Sequence, residues 1–243
     1  MKKLTLCVSA LAIFIVVACS PQATRSENTA VPAETPAPAQ PGKAFTYNFD
    51  KDPAGGLPPK FHSALTGSGA QGQWAVTADP SAPSQPNVLA QTSADKTSYR
   101  FPLAIADEGS FRDLDLSVRF KTISGRVDQA AGLVWRFKDA NNYYIVRANA
   151  LEGNVVLYKM QSGKRTDLPV KGEGRTYGKK ASVPSGQWNE LRVSAAGNLF
   201  KVYLNNQKLY EVEDSTFPEG GKVGLWTKAD SVTHFDDLRV TAK

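Results

Sequence analysis

Cysteine is nearly absent: two residues, Cys7 and Cys19, both within the first twenty positions of a 243-residue chain. A disulfide framework and a cysteine-based metal site are therefore excluded from everything downstream, and that part must be stable through its core alone. Histidine is equally scarce, at two residues, His62 and His234. Neither has neighbours that set it up as a base or a ligand, so surface or satisfied core positions are the expectation. There is no Gly-x-Ser-x-Gly elbow, no His-Glu-x-x-His pair and no cysteine nucleophile. Those absences remove the commonest hydrolase and metalloprotease routes and leave carboxylates as the source of any catalysis. No arginine-rich run is present, and the formal charge of +6 falls further when Lys2 and Lys3 leave with a leader. That speaks against a nucleic-acid partner. Helical periodicity is missing from every apolar window as well.

At the N-terminus, Lys2 and Lys3 precede an apolar run over residues 4–18. It is too short to span a bilayer and fits the core of an export signal. The run ends in Val16-Val17-Ala18-Cys19, which resembles the bacterial lipobox. The resemblance implies that Cys19 is acylated and becomes the first mature residue, attaching the protein to a membrane of the bacterial cell envelope. Ser20 in place of an aspartate implies the outer membrane. An ordinary secretory signal cut nearby is the alternative. Residues 19–44 are rich in Pro, Ala, Ser and Thr without an aromatic residue before position 45, so they cannot bury enough surface to offset ordering. They form a tether with a reach of about 70 Å. The predicted organisation is a signal peptide at 1–18, a tether at 19–44 and one domain at 45–243.

That domain is organised around residues 129–166. Asp139-Ala140-Asn141-Asn142 is turn chemistry flanked by apolar runs, which predicts a hairpin with Ala140 and Asn141 at its tip. The pairing expected is Phe137 with Tyr144, Trp135 with Val146 and Leu133 with Ala148, giving one wholly apolar face. The second face then carries Val134, Arg136, Lys138, Tyr143, Ile145, Arg147 and Asn149, joined after a turn at Glu152-Gly153 by Val156, Tyr158 and Met160. Ten further strand-like runs with turn signals, among them Ala196-Gly197-Asn198 and Asn205-Asn206, make the fold all-β: a sandwich or barrel. Gly67-Ser68-Gly69-Ala70-Gln71-Gly72 matches a dinucleotide fingerprint but opens no helix, and is a loop.

Gly132-Leu133-Val134-Trp135-Arg136-Phe137, Trp188-Asn189-Glu190-Leu191-Arg192-Val193, the hairpin at Asn205-Asn206, and Gly221-Lys222-Val223-Gly224-Leu225-Trp226 followed by Phe235-Asp236-Asp237-Leu238-Arg239-Val240 resemble the concanavalin A-like lectin/glucanase superfamily. Within it the chain is similar to bacterial exported domains named 3-keto-disaccharide hydrolase-like or family-16-glycoside-hydrolase-like. The resemblance implies a jelly-roll sandwich of two antiparallel sheets whose concave sheet meets carbohydrate. The Glu-x-Asp-x-x-Glu run of true family-16 glucanases is missing, and with it their paired carboxylates.

For ligand binding the second face of the ribbon is the candidate: Tyr143 and Tyr158 as platforms for a sugar face, Arg136, Arg147 and Asn149 as donors. A solvent-exposed sheet over which these side chains merely lie is the competing reading. Trp188 and Trp226 are expected in the core. Asp236 falls on core-facing parity, where a carboxylate must be paired, hydrogen-bonded or bound to a structural calcium, unless a bulge at Asp236-Asp237 turns it outwards. No other metal or cofactor is implied. Three functions fit: a lipid-anchored carbohydrate-binding or surface-interaction protein, a glycoside hydrolase, or a purely structural envelope protein.

Overall fold

The computed structural model describes residues 42–243; Cys19, the leader and nearly all of the tether lie outside them. The strands, numbered in chain order, are β1 (Ala44–Tyr47), β2 (Phe61–Gly67), β3 (Trp74–Ala78), β4 (Asn87–Gln91), β5 (Arg100–Ala106), β6 (Leu114–Ser124), β7 (Ala130–Asp139) and β8 (Asn142–Asn149). They continue as β9 (Asn154–Gln161), β10 (Lys164–Asp167), β11 (Lys179–Lys180), β12 (Asn189–Ala196), β13 (Leu199–Leu204), β14 (Gln207–Glu213), β15 (Lys222–Trp226) and β16 (Val232–Ala242). No helix occurs among the described residues. One sheet runs β14-β13-β12-β6-β16-β4-β3 with β1 added to β16, the other β10-β9-β8-β7-β15-β5-β2 with β11 added to β9. Every pairing is antiparallel. This is the two-sheet jelly-roll sandwich that the alternation pattern predicts.

Period-two alternation explains the layer. In β6, Leu114, Leu116, Val118 and Phe120 are buried while the intervening residues are half-buried. β12 does the same with Leu191, Val193 and Ala195. These side chains mesh with Leu133, Trp135, Tyr144, Val146 and Leu157 of the facing sheet in one cluster. Each fully buried aliphatic side chain there contributes about 1.5 to 3 kcal/mol.

The second sheet is strongly curled, and it builds a further cluster on its own concave side from Phe101, Leu103, Val134, Tyr143, Ile145, Tyr158 and Trp226, among others. The curl is visible in contacts between distant strands. The Arg165 guanidinium on β10 lies 4.6 Å from the Tyr158 ring on β9 and 4.7 Å from the Phe101 ring on β5. Thr66 on β2 donates to the carbonyl of Ala140 in the β7–β8 turn and shares a 2.8 Å hydrogen bond with the Tyr143 hydroxyl. The concave side is thus closed by its own aromatics over much of its length.

Three expectations are corrected, and one left open, the side that Asp236 takes, is decided. The hairpin tip is as predicted, with Asp139 opposite Asn142, but past it Trp135 pairs with Tyr144 and Leu133 with Val146. A bulge between Trp135 and Asp139 absorbs two residues, and Arg136 sits in it at φ 48°. Because the slip is even, Leu133, Trp135, Val146 and Ala148 keep their face. Inside the bulge parity inverts: Phe137 joins the concave cluster, while Arg136 turns to the inter-sheet side, 5.4 Å from the Phe200 ring. Trp188 is half-buried on the outer face of the first sheet, where its Nε1 donates to Ser81 Oγ at 3.2 Å, and is not core. In β16 a bulge between Asp236 and Arg239, with Asp237 at φ 48°, lets Phe235 and Leu238 both face inward. Asp236 therefore lies opposite Arg119 on the outer face, where it accepts from Ser84 N (2.8 Å), Ser84 Oγ (2.9 Å) and Asp237 N (2.7 Å).

Candidate functional site

The open polar end of the concave side is built from the β8–β9 connection. Asn149 closes β8 with an Asx turn, its Oδ1 accepting from the amides of Leu151 (3.0 Å) and Glu152 (3.4 Å), and Gly153 at φ 56° completes the reversal. The turn folds Glu152 back beneath its own strand. There its carboxylate accepts from Arg147 Nη2 (2.7 Å), Asn154 Nδ2 (3.1 Å) and Asn149 Nδ2 (3.2 Å).

Arg147 is the hub. Only 1% exposed, it donates to Asn154 Oδ1, Glu152 and the Tyr158 hydroxyl (3.1 Å), with the Tyr177 hydroxyl at 3.5 Å. Tyr158 in turn bonds Tyr177 between hydroxyls at 2.9 Å. Burial works against the guanidinium charge, but Tyr158, Glu152 and Tyr177 outweigh it and hold Arg147 charged. For Glu152 burial pushes the pKa up and Arg147 with Asn154 pulls it down further, so the carboxyl rests below its ordinary value and stays ionised. Burial raises the Tyr158 phenol, keeping it a donor.

A second carboxylate enters from the loop before β7. The Asp230 carboxylate accepts from the amides of Arg126 (2.8 Å), Val127 (3.0 Å) and Asp128 (3.0 Å), which fixes the loop. Asp128 then accepts from Asn149 Nδ2 at 2.7 Å and pairs with Lys228 Nζ at 2.8 Å. One amide group, that of Asn149, is thus shared between Asp128 and Glu152. Beside this network the surface opens into a depression of about 520 Å³, lined by Asn154, Glu173, Thr176, Tyr177, Lys179 and Lys180. Tyr177 is 44% exposed, and its ring lies 5.7 Å from the Arg147 guanidinium. Its backbone is at φ 55°, a conformation costly for an aromatic residue and common beside functional sites.

Of the five predicted ligand-binding residues, Arg147, Asn149 and Tyr158 come together here. Arg136 and Tyr143 do not. Arg136 is buried at the far end of the ribbon, where it donates to the carbonyls of Arg112 (3.0 Å), Phe217 (2.7 Å) and Gly197 (2.5 Å). Tyr143 is enclosed in the concave cluster, where burial raises its phenol, and it presents no free ring face. Asp128, Glu152, Asn154, Tyr177 and Lys228 escaped the sequence reading. Asn149-x-x-Glu152-x-Asn154 carried a signal, since an Asx turn returns the third residue to its own strand. Nothing in the sequence joined Asp128 or Tyr177 to it. Among the described residues no group of three or more His, Cys, Asp or Glu side chains is arranged to hold a metal ion.

The family model for the 3-keto-alpha-glucoside-1,2-lyase-like domain matches residues 70–241. No curated protein matches the chain significantly. Among solved structures, the carbohydrate-binding module CBM66 from Bacillus subtilis aligns with a TM-score of 0.57 at 20% identity, over 74% of this chain and 95% of that one. The cellulose-induced protein Cip1 aligns with a TM-score of 0.61 at 11% identity, over 82% and 97%. The GH43 protein BlXynB from Bacillus licheniformis aligns with a TM-score of 0.50 at 17% identity, over 82% of this chain and 39% of its own length. At these identities the likeness is one of fold.

Proposed function

We propose that this chain, which belongs to the family of 3-keto-alpha-glucoside-1,2-lyase-like domains, binds a carbohydrate at the Arg147 site of its sandwich, and, from the lipobox-like Val16-Val17-Ala18-Cys19, that it is a bacterial envelope protein lipid-anchored at Cys19 in the outer membrane. One observation carries the binding part. A buried arginine, saturated by Glu152, Asn154 and Tyr158, holds an exposed aromatic ring over an open polar depression. Sugars present alternating apolar faces and hydroxyl edges, and such a site offers a ring for the first and fixed amides and carboxylates for the second. The fold shared with the CBM66 module supports the same reading. A glycan-array screen of the chain, repeated with Tyr177→Ala, tests it. Binding that Tyr177→Ala leaves unchanged would remove the site, and absence of binding to any glycan would remove the function.

A second reading, cleavage of a glycoside, is favoured by the two carboxylates held on the single amide of Asn149. Glu152, kept ionised by Arg147, would be the base in such a reaction, and Asn149 and Arg147 would keep its oxygens in place. The family's description names a 1,2-lyase of a 3-keto-glucoside; a ketone acidifies the neighbouring C–H, so an elimination there calls for a base. Turnover of a 3-keto-glucoside that Glu152→Gln abolishes would establish this reading; turnover unaffected by Glu152→Gln would exclude this site.

A further inference from the structure

The strap over residues 171–180 reads Lys-Gly-Glu-Gly-Arg-Thr-Tyr-Gly-Lys-Lys, four cations against one carboxylate. Three of the cations are matched. Lys171 pairs with Glu213, Arg175 with Asp167 and Lys179 with Glu173. Inside the site the charges are also matched, Arg147 by Glu152 and Lys228 by Asp128. Lys180 is the exception. It is exposed, and among the described residues its Nζ meets only the carbonyl oxygen of Glu152, at 3.2 Å, with no carboxylate within ion-pair distance. β11 is hydrogen-bonded to β9, with Lys180 opposite Asn154, so the strand holds this ammonium at the rim of the depression beside Tyr177.

We infer that the site selects acidic glycans: a chain of uronate sugars, one of whose carboxylates pairs with Lys180 while a neighbouring ring stacks on Tyr177. The inference rests on the carbohydrate-binding reading of this site. A sugar hydroxyl gains little from an ammonium that water already solvates, whereas a carboxylate supplies Lys180, at the rim of the depression, with the counter-charge that its neighbours in the strap already have. The match is at an exposed rim, so it gives selectivity more than strength.

Isothermal titration of the full chain with an oligogalacturonate and with its carboxyl-reduced, neutral counterpart tests it, since the two differ only at the acidic group. The oligogalacturonate is expected to bind about two- to five-fold more tightly at low ionic strength, the margin of one exposed ion pair. Lys180→Gln should erase that margin, and so should 0.5 M salt, where screening lengths fall to a few ångströms. Lys201→Gln on β13 of the other sheet removes the same charge and should leave the margin intact. Equal binding of the two sugars, or a margin that survives Lys180→Gln, overturns the charge selection and leaves the carbohydrate site standing. Absence of binding by both sugars overturns the charge selection, and absence of binding by every glycan on the array as well overturns the carbohydrate site with it.

Discussion

Arg136→Ala tests the bulge, and with it the placement of both faces of the ribbon. Arg136 is 1% exposed, and its guanidinium serves three carbonyls from separate segments, those of Arg112, Phe217 and Gly197, with Asp113 Oδ1 at the margin of contact at 3.5 Å. Each acceptor left without a donor costs about 1 to 3 kcal/mol. Two effects reduce the sum. A guanidinium no longer has to be desolvated, the burial that already depresses its pKa, and the adjacent depression of about 310 Å³ lined by Arg112, Gly197 and Asn198 admits water to the vacated space. A net loss of about 3 to 5 kcal/mol is expected, as for breaking other buried charged networks. Backbone conformation adds a second signature. At φ 48° an L-residue carries about 1 kcal/mol of strain that glycine does not. Arg136→Gly should accordingly be more stable than Arg136→Ala, the reverse of the order expected in an ordinary strand. Urea unfolding followed by tryptophan fluorescence reads both variants. A cost below about 1 kcal/mol for Arg136→Ala would return the side chain to an open face, and Arg136→Gly falling below Arg136→Ala would remove the bulge.

Three further outcomes are expected. Trp135→Ala removes an aromatic stacked on Tyr144 at 5.4 Å in the inter-sheet core and should cost about 3 to 5 kcal/mol in the same unfolding assay, with a value under about 1 kcal/mol counting against the core assignment. Asp79 is held well below the usual carboxylate range: burial opposes its charge, but Lys121, His234 and Ser81 outweigh burial. Its folded pKa being depressed, its contribution is complete above the unfolded value of about 4 and is lost as pH falls through the folded value; Asp79→Asn should therefore be less stable than the parent at pH 7, by about 1 to 3 kcal/mol, with the gap narrowing below pH 4. A gap independent of pH would show that the carboxylate is not ion-paired. Cys19→Ser should leave the domain folded and release it from the membrane fraction, since stable attachment needs the acyl chains that a lipidated cysteine carries; retention of this variant in the membrane would reject lipidation.

How far the sequence can be read depends on whether a signal is local. The β6 alternation, the turn at Asn205-Asn206 and the Asp139–Asn142 tip are local, and each lies where its residues predict. β2 was not legible, because its His62, Ser63 and Thr66 interrupt the apolar period on a strand at the sheet edge. Bulges were legible only as an option. At Asp236-Asp237 a bulge is one of two readings, since Leu238 and Val240 otherwise set a carboxylate on the core-facing parity, whereas Trp135-Arg136-Phe137 carries no residue that marks a left-handed position. That one backbone torsion decides the candidate site. With regular pleating, Arg136 and Arg147 would share a face, and the ribbon would present a groove along its length. With the bulge, the arginines part: Arg136 becomes a staple between loops and only Arg147 faces the concave side. The curl of the sheet does the rest, burying Tyr143 against Thr66 from a strand far away in sequence, a pairing that no window of the chain contains. What survives as a site is the part in which distant segments meet under local rules, the Asx turn that returns Glu152 and the Asp230 clamp that delivers Asp128. A carbohydrate would therefore meet the end of the ribbon and not its length, so a short recognition element of one or two sugar rings should account for most of the affinity, and lengthening an oligosaccharide beyond that should add little.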